Sequence, residues 1–286
     1  MDDMVKLLED SDNLVSPPDI WYRFNETVHD PKSSISDVAD IVKTDPSLVA
    51  NILKIVNSPY YGIFKKVDTI SRAVTILGID DMYNIVTAVS AVNVFSKIAS
   101  DIVKPATFWR HSFCTAILSR KVAKFCNVLH TERLYVSGLL HDIGSLLLYS
   151  RYPEESARII QESDGDEEKV YRLEVEKFGY SHADIGAALL SKWGLPNSII
   201  QAVKMHHTPC DDTNNILDAC IVHLANSLSN CYILGTFQEK IALSSNQPDP
   251  CIWDYIKLPE TGLGDIYEDV EDELSYAISL LIPYTI

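Results

Sequence analysis

Leu139-Leu140-His141-Asp142-Ile143-Gly144 is the stretch on which the reading of this chain turns. The His-Asp pair lies inside an apolar run from Leu134 to Leu148, which reads as one long helix. Burying an imidazole beside a carboxylate without partners costs several kcal/mol. Partners are therefore expected elsewhere in the chain, and the other histidines are the first candidates. His111, His182, His206, His207 and His223 also sit in helix-like segments. Together they read as a metal site assembled from several helices, with a protonated or hydrogen-bonded core as the rival.

Outward from that stretch, nearly every segment has apolar residues at a period near 3.6 and recognisable helix ends, and none shows sustained strand-like alternation. The expectation is all-α. Toward the N-terminus, Ile20 to Val28 is a short amphipathic helix, and Ser34 or Ser36 caps another. Asp45-Pro46 opens a third with a capping carboxylate and a proline at the first helical position. Thr69 caps a helix that Gly78 ends, and a long apolar helix runs from Asp80 to about Ile98. Ser100 to Pro105 is a joint. Ala106 to Cys126 carries His111, Ser181 caps the helix of His182, Pro196 opens the one ending in His206-His207, and Ile216 to Leu234 is a last core helix. Ser163 to Glu168 is read as a turn between two polar helices.

Composition narrows the function classes. With 286 residues, 47% of them hydrophobic, the chain is long enough to bury a substantial core. The formal net charge is −16, and residues 236–286 alone hold ten acidic and two basic side chains. Such a field repels nucleic-acid backbones and anionic membranes. The six cysteines form no CxxC pair and are expected as reduced thiols in a cytoplasmic protein. The most apolar run, Ile85 to Phe95, is interrupted by Thr87, Ser90 and Asn93 and is too short for a bilayer, and no leader sequence opens the chain.

Successive helix residues point about 100° apart, so His141 and Asp142 reach one ion only at the edge of a helix. Mixed imidazole and carboxylate donors suit borderline divalent ions, and a bridging carboxylate suits a pair of them. His111 and His182 could complete one sphere, with His206 and His207 serving a second. Each has a bland alternative. His206-His207 is also readable as a frayed helix end favoured by the dipole, His223 as a satisfied core histidine, and His29 and His130 as surface residues. Cys114, one turn after His111, is better read as packing than as a nucleophile.

Two blocks carry a family resemblance. The first runs from Asp45-Pro46-Ser47-Leu48 through Asn57-Ser58-Pro59-Tyr60-Tyr61-Gly62 to Ile70-Ser71-Arg72-Ala73-Val74-Thr75-Ile76-Leu77-Gly78. The second joins Trp109-Arg110-His111, Gly138 to Gly144, Gly179-Tyr180-Ser181-His182, Trp193-Gly194-Leu195-Pro196, His206-His207 and His223-Leu224-Ala225-Asn226. Over roughly residues 15–230 the chain resembles the HDOD family, the HD-related output domains of bacterial signalling proteins. The resemblance implies an HD-like helical bundle over 105–235, preceded by an HDOD-specific helical subdomain over 1–104 and followed by an acidic helical extension over 236–286.

It also implies a regulatory role exercised through a protein partner rather than by turnover. The alternative is a metal-dependent phosphohydrolase acting on a nucleotide or cyclic dinucleotide, in which Asp142 would be catalytic. By the resemblance, the metal positions are His111, His141, Asp142, His182, His206 and His207, for a divalent ion such as Fe, Mn, Ni, Zn or Mg. The acid expected of catalytic HD enzymes at the last position is replaced by Asn226, which brings no charge. The lysine that follows the motif in the cyclic-dinucleotide enzymes is Ser145, and the acid after their paired histidines is Thr208.

Overall fold

The computed structural model describes residues 2–98, 101–211, 216–234, 247–258 and 265–281. Among them there are helices and no strands. They divide into two compact units: Met1–Val15 with Ile98–Leu274, and Ser16–Lys97 with Ser275–Ile286.

The Ser16–Lys97 unit is built from α3 (Asp19–His29), α4 (Ile35–Val42), α5 (Pro46–Val56), α6 (Ile70–Leu77) and α7 (Ile79–Phe95). Its helix starts are chemically explicit. Ser34 and Asp37 form a capping box, the Asp45 carboxylate accepts from the amides of Ser47 and Leu48, and Thr69 accepts from that of Arg72. Gly78 ends α6 at φ +86°, a conformation cheap only for glycine. Buried side chains surround most of α7, as expected of a core helix. Tyr83 on α7 packs on Trp21 and Phe24 of α3.

Between α5 and α6 the chain turns through a 3₁₀ segment, Pro59–Tyr61, with Gly62 at φ +58°. Asn57 closes this loop. Its Nδ2 donates to the carbonyls of Leu53 (2.6 Å) and Val67 (2.7 Å), and its Oδ1 accepts from the Val67 amide (2.7 Å). This accounts for an asparagine at the end of the Asp45-to-Asn57 block.

In the other unit α1 (Asp2–Asp10) and α2 (Asp12–Val15) are followed by α8 (Pro105–Phe125), α9 (Glu132–Leu140), α10 (Ile143–Arg151), α11 (Pro153–Ser163), α12 (Glu167–Phe178), α13 (His182–Lys192), α14 (Asn197–Lys204) and α15 (Ile216–Leu234). Helix α8 packs against α9 and α15, and α10 against α13. Residues up to Val15 join this unit because the Trp193 indole donates to the Val15 carbonyl and Lys192 pairs with Asp12. Of the acidic extension, the described part holds a 3₁₀ turn, Pro250–Asp254, and α16 (Val270–Leu281).

Two expectations are corrected. The run Leu134 to Leu148 is not one helix: it breaks at His141-Asp142, where Asp142 takes φ −99°, ψ 9°. The cysteines are not all thiols, because Cys210 and Cys251 form a disulfide. His223 brings those segments together by accepting from the Asp249 amide at 2.8 Å while bonding the His206 carbonyl at 2.7 Å. Cys114, Cys126, Cys220 and Cys231 are free. No helix of the described residues is long and apolar enough to cross a membrane.

Candidate metal centre

The helix break is what aims the His-Asp pair. In an unbroken helix the two side chains would diverge; here His141 and Asp142 both face a hollow in the Ile98–Leu274 unit. His111 reaches it from within α8, His182 from the first residue of α13, and His206 and His207 from just beyond α14. The imidazoles of His141, His182, His206 and His207 are buried, while His111 and Asp142 keep side-chain exposures of 15% and 18%. His206-His207 is therefore no frayed end. His29 and His130 are exposed, and His223 is buried with both ring nitrogens hydrogen-bonded.

The outer nitrogen of each imidazole is fixed. Nδ1 of His141 bonds the Gly138 carbonyl at 2.8 Å and that of His206 the Val203 carbonyl at 2.7 Å. Nδ1 of His182 bonds Glu174 at 2.6 Å, and that of His207 bonds Glu168 at 2.9 Å. His111 Nδ1 lies 3.4 Å from Ser229 Oγ. Each ring thus presents Nε2 inward, the arrangement by which outer hydrogen bonds orient metal-binding histidines.

The inward atoms fall into two sets, one on each oxygen of Asp142. Oδ2 lies 3.1 Å from His141 Nε2 and 3.6 Å from His111 Nε2, which are 3.3 Å from each other. Oδ1 lies 3.3 Å from His182 Nε2 and 3.6 Å from His206 Nε2. His182 Nε2 in turn is 3.4 Å from His206 Nε2 and 3.0 Å from His207 Nε2. Donors sharing one octahedral ion at bonds of about 2.1 Å stand about 3.0–4.2 Å apart. Both sets fit that spacing, so each can hold a divalent ion.

Burial would raise the Asp142 carboxyl, but the contacts from His141, then His182 and His206, hold it well below the usual range. Burial pulls on His182 too, yet Glu174 and Asp142 outweigh it and keep the ring well above its ordinary value; His141 is raised in the same way by Asp142. Burial wins at the others. It lowers His206 to about 4 and, with His206 and His182 adding to it, puts His207 well below the ordinary value; His111 is lowered as well. Burial thus favours the neutral ring with an inward lone pair at His206, His207 and His111, while the carboxylates favour the charged ring at His141 and His182, whose inward protons a bound cation would displace.

Sequence reasoning missed the acids around these rings. Glu174 is 2% exposed yet lies in a helix that reads as amphipathic with a mostly polar surface. The spacing puts Glu167 and Glu168 in a turn, whereas they open α12 behind the Asp166 cap. Burial raises the Glu168 carboxyl to about 7, helped by Glu167 and Asp166. Asn226 Nδ2 donates to Glu167 Oε2 at 2.6 Å, and its own Oδ1 is buried with no hydrogen-bond partner among the described residues.

The HDOD domain model matches residues 14–209. Similar solved structures include an HDOD domain protein of unknown function from Geobacter sulfurreducens, at TM-score 0.73 and 23% identity, covering 99% of each chain. A protein provisionally named a phosphohydrolase from Shewanella amazonensis SB2B superposes at TM-score 0.73 and 24% identity, over 96% of this chain and 97% of that one. Another, provisionally named for signal transduction, from Marinobacter aquaeolei VT8, gives 0.72 at 20% identity over 96% of this chain and 61% of that one. At such identities the likeness establishes the fold. A protein of Treponema pallidum (strain Nichols), named only as uncharacterized, is 27% identical over 198 residues, 68% of this chain but 38% of that protein, so the match spans well under half of that relative's length. With the family model spanning most of its length and the helical fold and the His-Asp break in place, this chain belongs to the HDOD family.

Proposed function

We propose that this chain is a regulatory module of signal transduction whose core holds two divalent ions at His111, His141, Asp142, His182, His206 and His207, and which turns substrate over slowly or not at all. The observation that carries the reading is the division of two imidazole sets between the two oxygens of Asp142. A divalent ion held there supplies Lewis acidity and, in HD phosphohydrolases, activates water. The chain's own residues orient the rings and bridge the two sets.

What argues against turnover is a weak grip on phosphate. On α8 and α9, Arg110 is engaged with Glu271, Arg120 with Glu273, and Arg133 with both oxygens of Asp218 at 2.9 Å, while Arg172 of α12 stands near Glu168 and partly offsets its acidic neighbours. Ser145 is buried and uncharged. Asp166 and Glu168 lie close together near His207, and Asp249 is near enough to raise the Glu168 carboxyl. An anionic substrate would meet repulsion there. The protein partner would contact the Ser16–Lys97 unit, where the large apolar side chains of Tyr22, Ile35, Phe64 and Ile76 are exposed.

The second reading, a phosphohydrolase of nucleotides or cyclic dinucleotides, draws on the same donor set. Purified protein supplied with Mn²⁺ or Fe²⁺ separates the two. Elemental analysis is expected to find two ions per chain, with no phosphate released above buffer. Turnover abolished by His141→Ala and Asp142→Ala would replace the regulatory reading with the hydrolytic one, and absence of bound metal would leave a helical scaffold.

A further inference from the structure

The acid that catalytic HD enzymes carry on their last helix is missing at Asn226, and the structure places another carboxylate beside that position. Glu167 Oε1 stands 3.9 Å from His111 Nε2, at the His111 edge of the His111, His141 and Asp142 set. Its other oxygen accepts from Asn226 Nδ2 at 2.6 Å. A carboxylate only accepts, so the amide nitrogen must face Glu167 and Oδ1 must face away. That oxygen is the buried atom left without a partner, on a residue 5% exposed. The charge of Glu167 acts on His111, His141 and His223, and it is the strongest of the charges raising His111.

We propose that Glu167 is a metal ligand of the His111, His141 and Asp142 set, supplying from α12 the carboxylate that α15 lacks at Asn226. This rests on the reading that the cluster holds ions. It explains the amide physically: an aspartate at 226 would set two carboxylates within hydrogen-bond distance of each other, whereas Asn226 donates to Glu167 and holds its free oxygen toward His111. Asn226 is then complementary to an acid that a different helix supplies. Asp164 at φ +53° and Gly165 at φ +83° turn the chain directly before α12, which Glu167 opens behind the Asp166 cap. Glu167 retains 31% side-chain exposure there, so its carboxylate is available to an incoming ion.

The test is Mn²⁺ titration of the full chain by calorimetry, with elemental analysis after gel filtration and circular dichroism as the check on folding. Wild type is expected to bind two ions. Glu167→Gln should weaken one of them by more than about 100-fold, beyond the 10–100-fold that loss of a group merely hydrogen-bonded to a ligand costs, and leave the other unchanged. Adding Asn226→Asp to Glu167→Gln returns an acid to the last helix and should recover affinity to within a few-fold of wild type. His182→Ala should weaken the ion that Glu167→Gln spares. Two ions bound by Glu167→Gln at wild-type affinity, or no recovery in the double variant, would overturn the assignment of Glu167 while leaving the metal reading intact. No ion bound by wild type would overturn both.

Discussion

Gly144 lies directly against the carbonyl of His182: a Cβ built on Gly144 would stand 2.1 Å from that oxygen and 2.8 Å from the Gly186 amide nitrogen. Both opposing atoms are backbone, so no side-chain rotation can relieve the overlap. The absence of a side chain at Gly144 lets α10 and α13 approach closely enough for His182 Nε2 to come within 3.3 Å of Asp142. The glycine of the His-Asp-Ile-Gly stretch is thus a packing requirement of the site.

Gly144→Ala should destabilise the protein by about 3 kcal/mol or more, at the top of the overpacking range, and lower Tm by roughly 6–12 °C for a domain of this size. Gly186→Ala should cost less, because its Cβ would meet chiefly the movable Val203 side chain at 3.1 Å. Calorimetric melts of the two variants provide the comparison; equal effects would contradict it.

Saturating ions should raise the melting temperature. At a free concentration a hundred times Kd, each ion bound only by the native state adds about 2.7 kcal/mol. A chelator should reverse the gain in wild type, and His207→Ala and His111→Ala should each forfeit one ion's share. A melt indifferent to Mn²⁺ and chelator would exclude ion binding to the folded chain.

Asn57→Ala removes both donors and the acceptor that close the loop to Val67, leaving the buried Val67 amide and carbonyl without that partner. The expected cost is about 2–3 kcal/mol. Hydrogen exchange should show the Val67 amide released by an order of magnitude or more while amides of α9 and α10 keep their protection. Asn57→Asp, which keeps the acceptor and loses the donors, should fall between.

Thiol labelling should divide the cysteines. Burial pushes the Cys114 thiol up to about 11 and Cys220 up to about 12, so both stay protonated and unreactive near neutrality, whereas Cys231, whose thiol is also raised but which is exposed, should be labelled first by iodoacetamide. Folding raises the Cys114 and Cys220 thiols, so their contribution to stability holds below the ordinary value of 9.0 and is lost as pH climbs through the raised values. Unfolded without reductant, the chain should present four thiols, and six after reduction. Six without reductant would refute the Cys210–Cys251 bond.

The legible part of this chain lies in its local grammar. Asp45-Pro46, Thr69 and Ser181 cap the helices expected of them, and of Ser34 and Ser36 it is Ser34 that caps, because a cap depends on side chains within one turn. The candidate donors were legible as residue types, and the structure gathers His111, His141, Asp142, His182, His206 and His207 in one hollow. Illegible were the break at His141-Asp142, concealed because the apolar period runs on through it, and Glu174, whose burial comes from packing that no local pattern signals.

By itself, then, the sequence determined an all-helical chain, most of its helix ends and the identity of the imidazoles and carboxylate that converge, all properties written in spacings of a few residues. Tertiary structure alone decided that Asp142 faces two imidazole sets with separate oxygens, that Glu167 occupies the place beside Asn226, and that Cys210 meets Cys251. Each of these depends on the approach of segments distant in sequence. Distance between such segments is set by how backbones such as those at Gly144 and His182 pack, and periodicity carries no record of it.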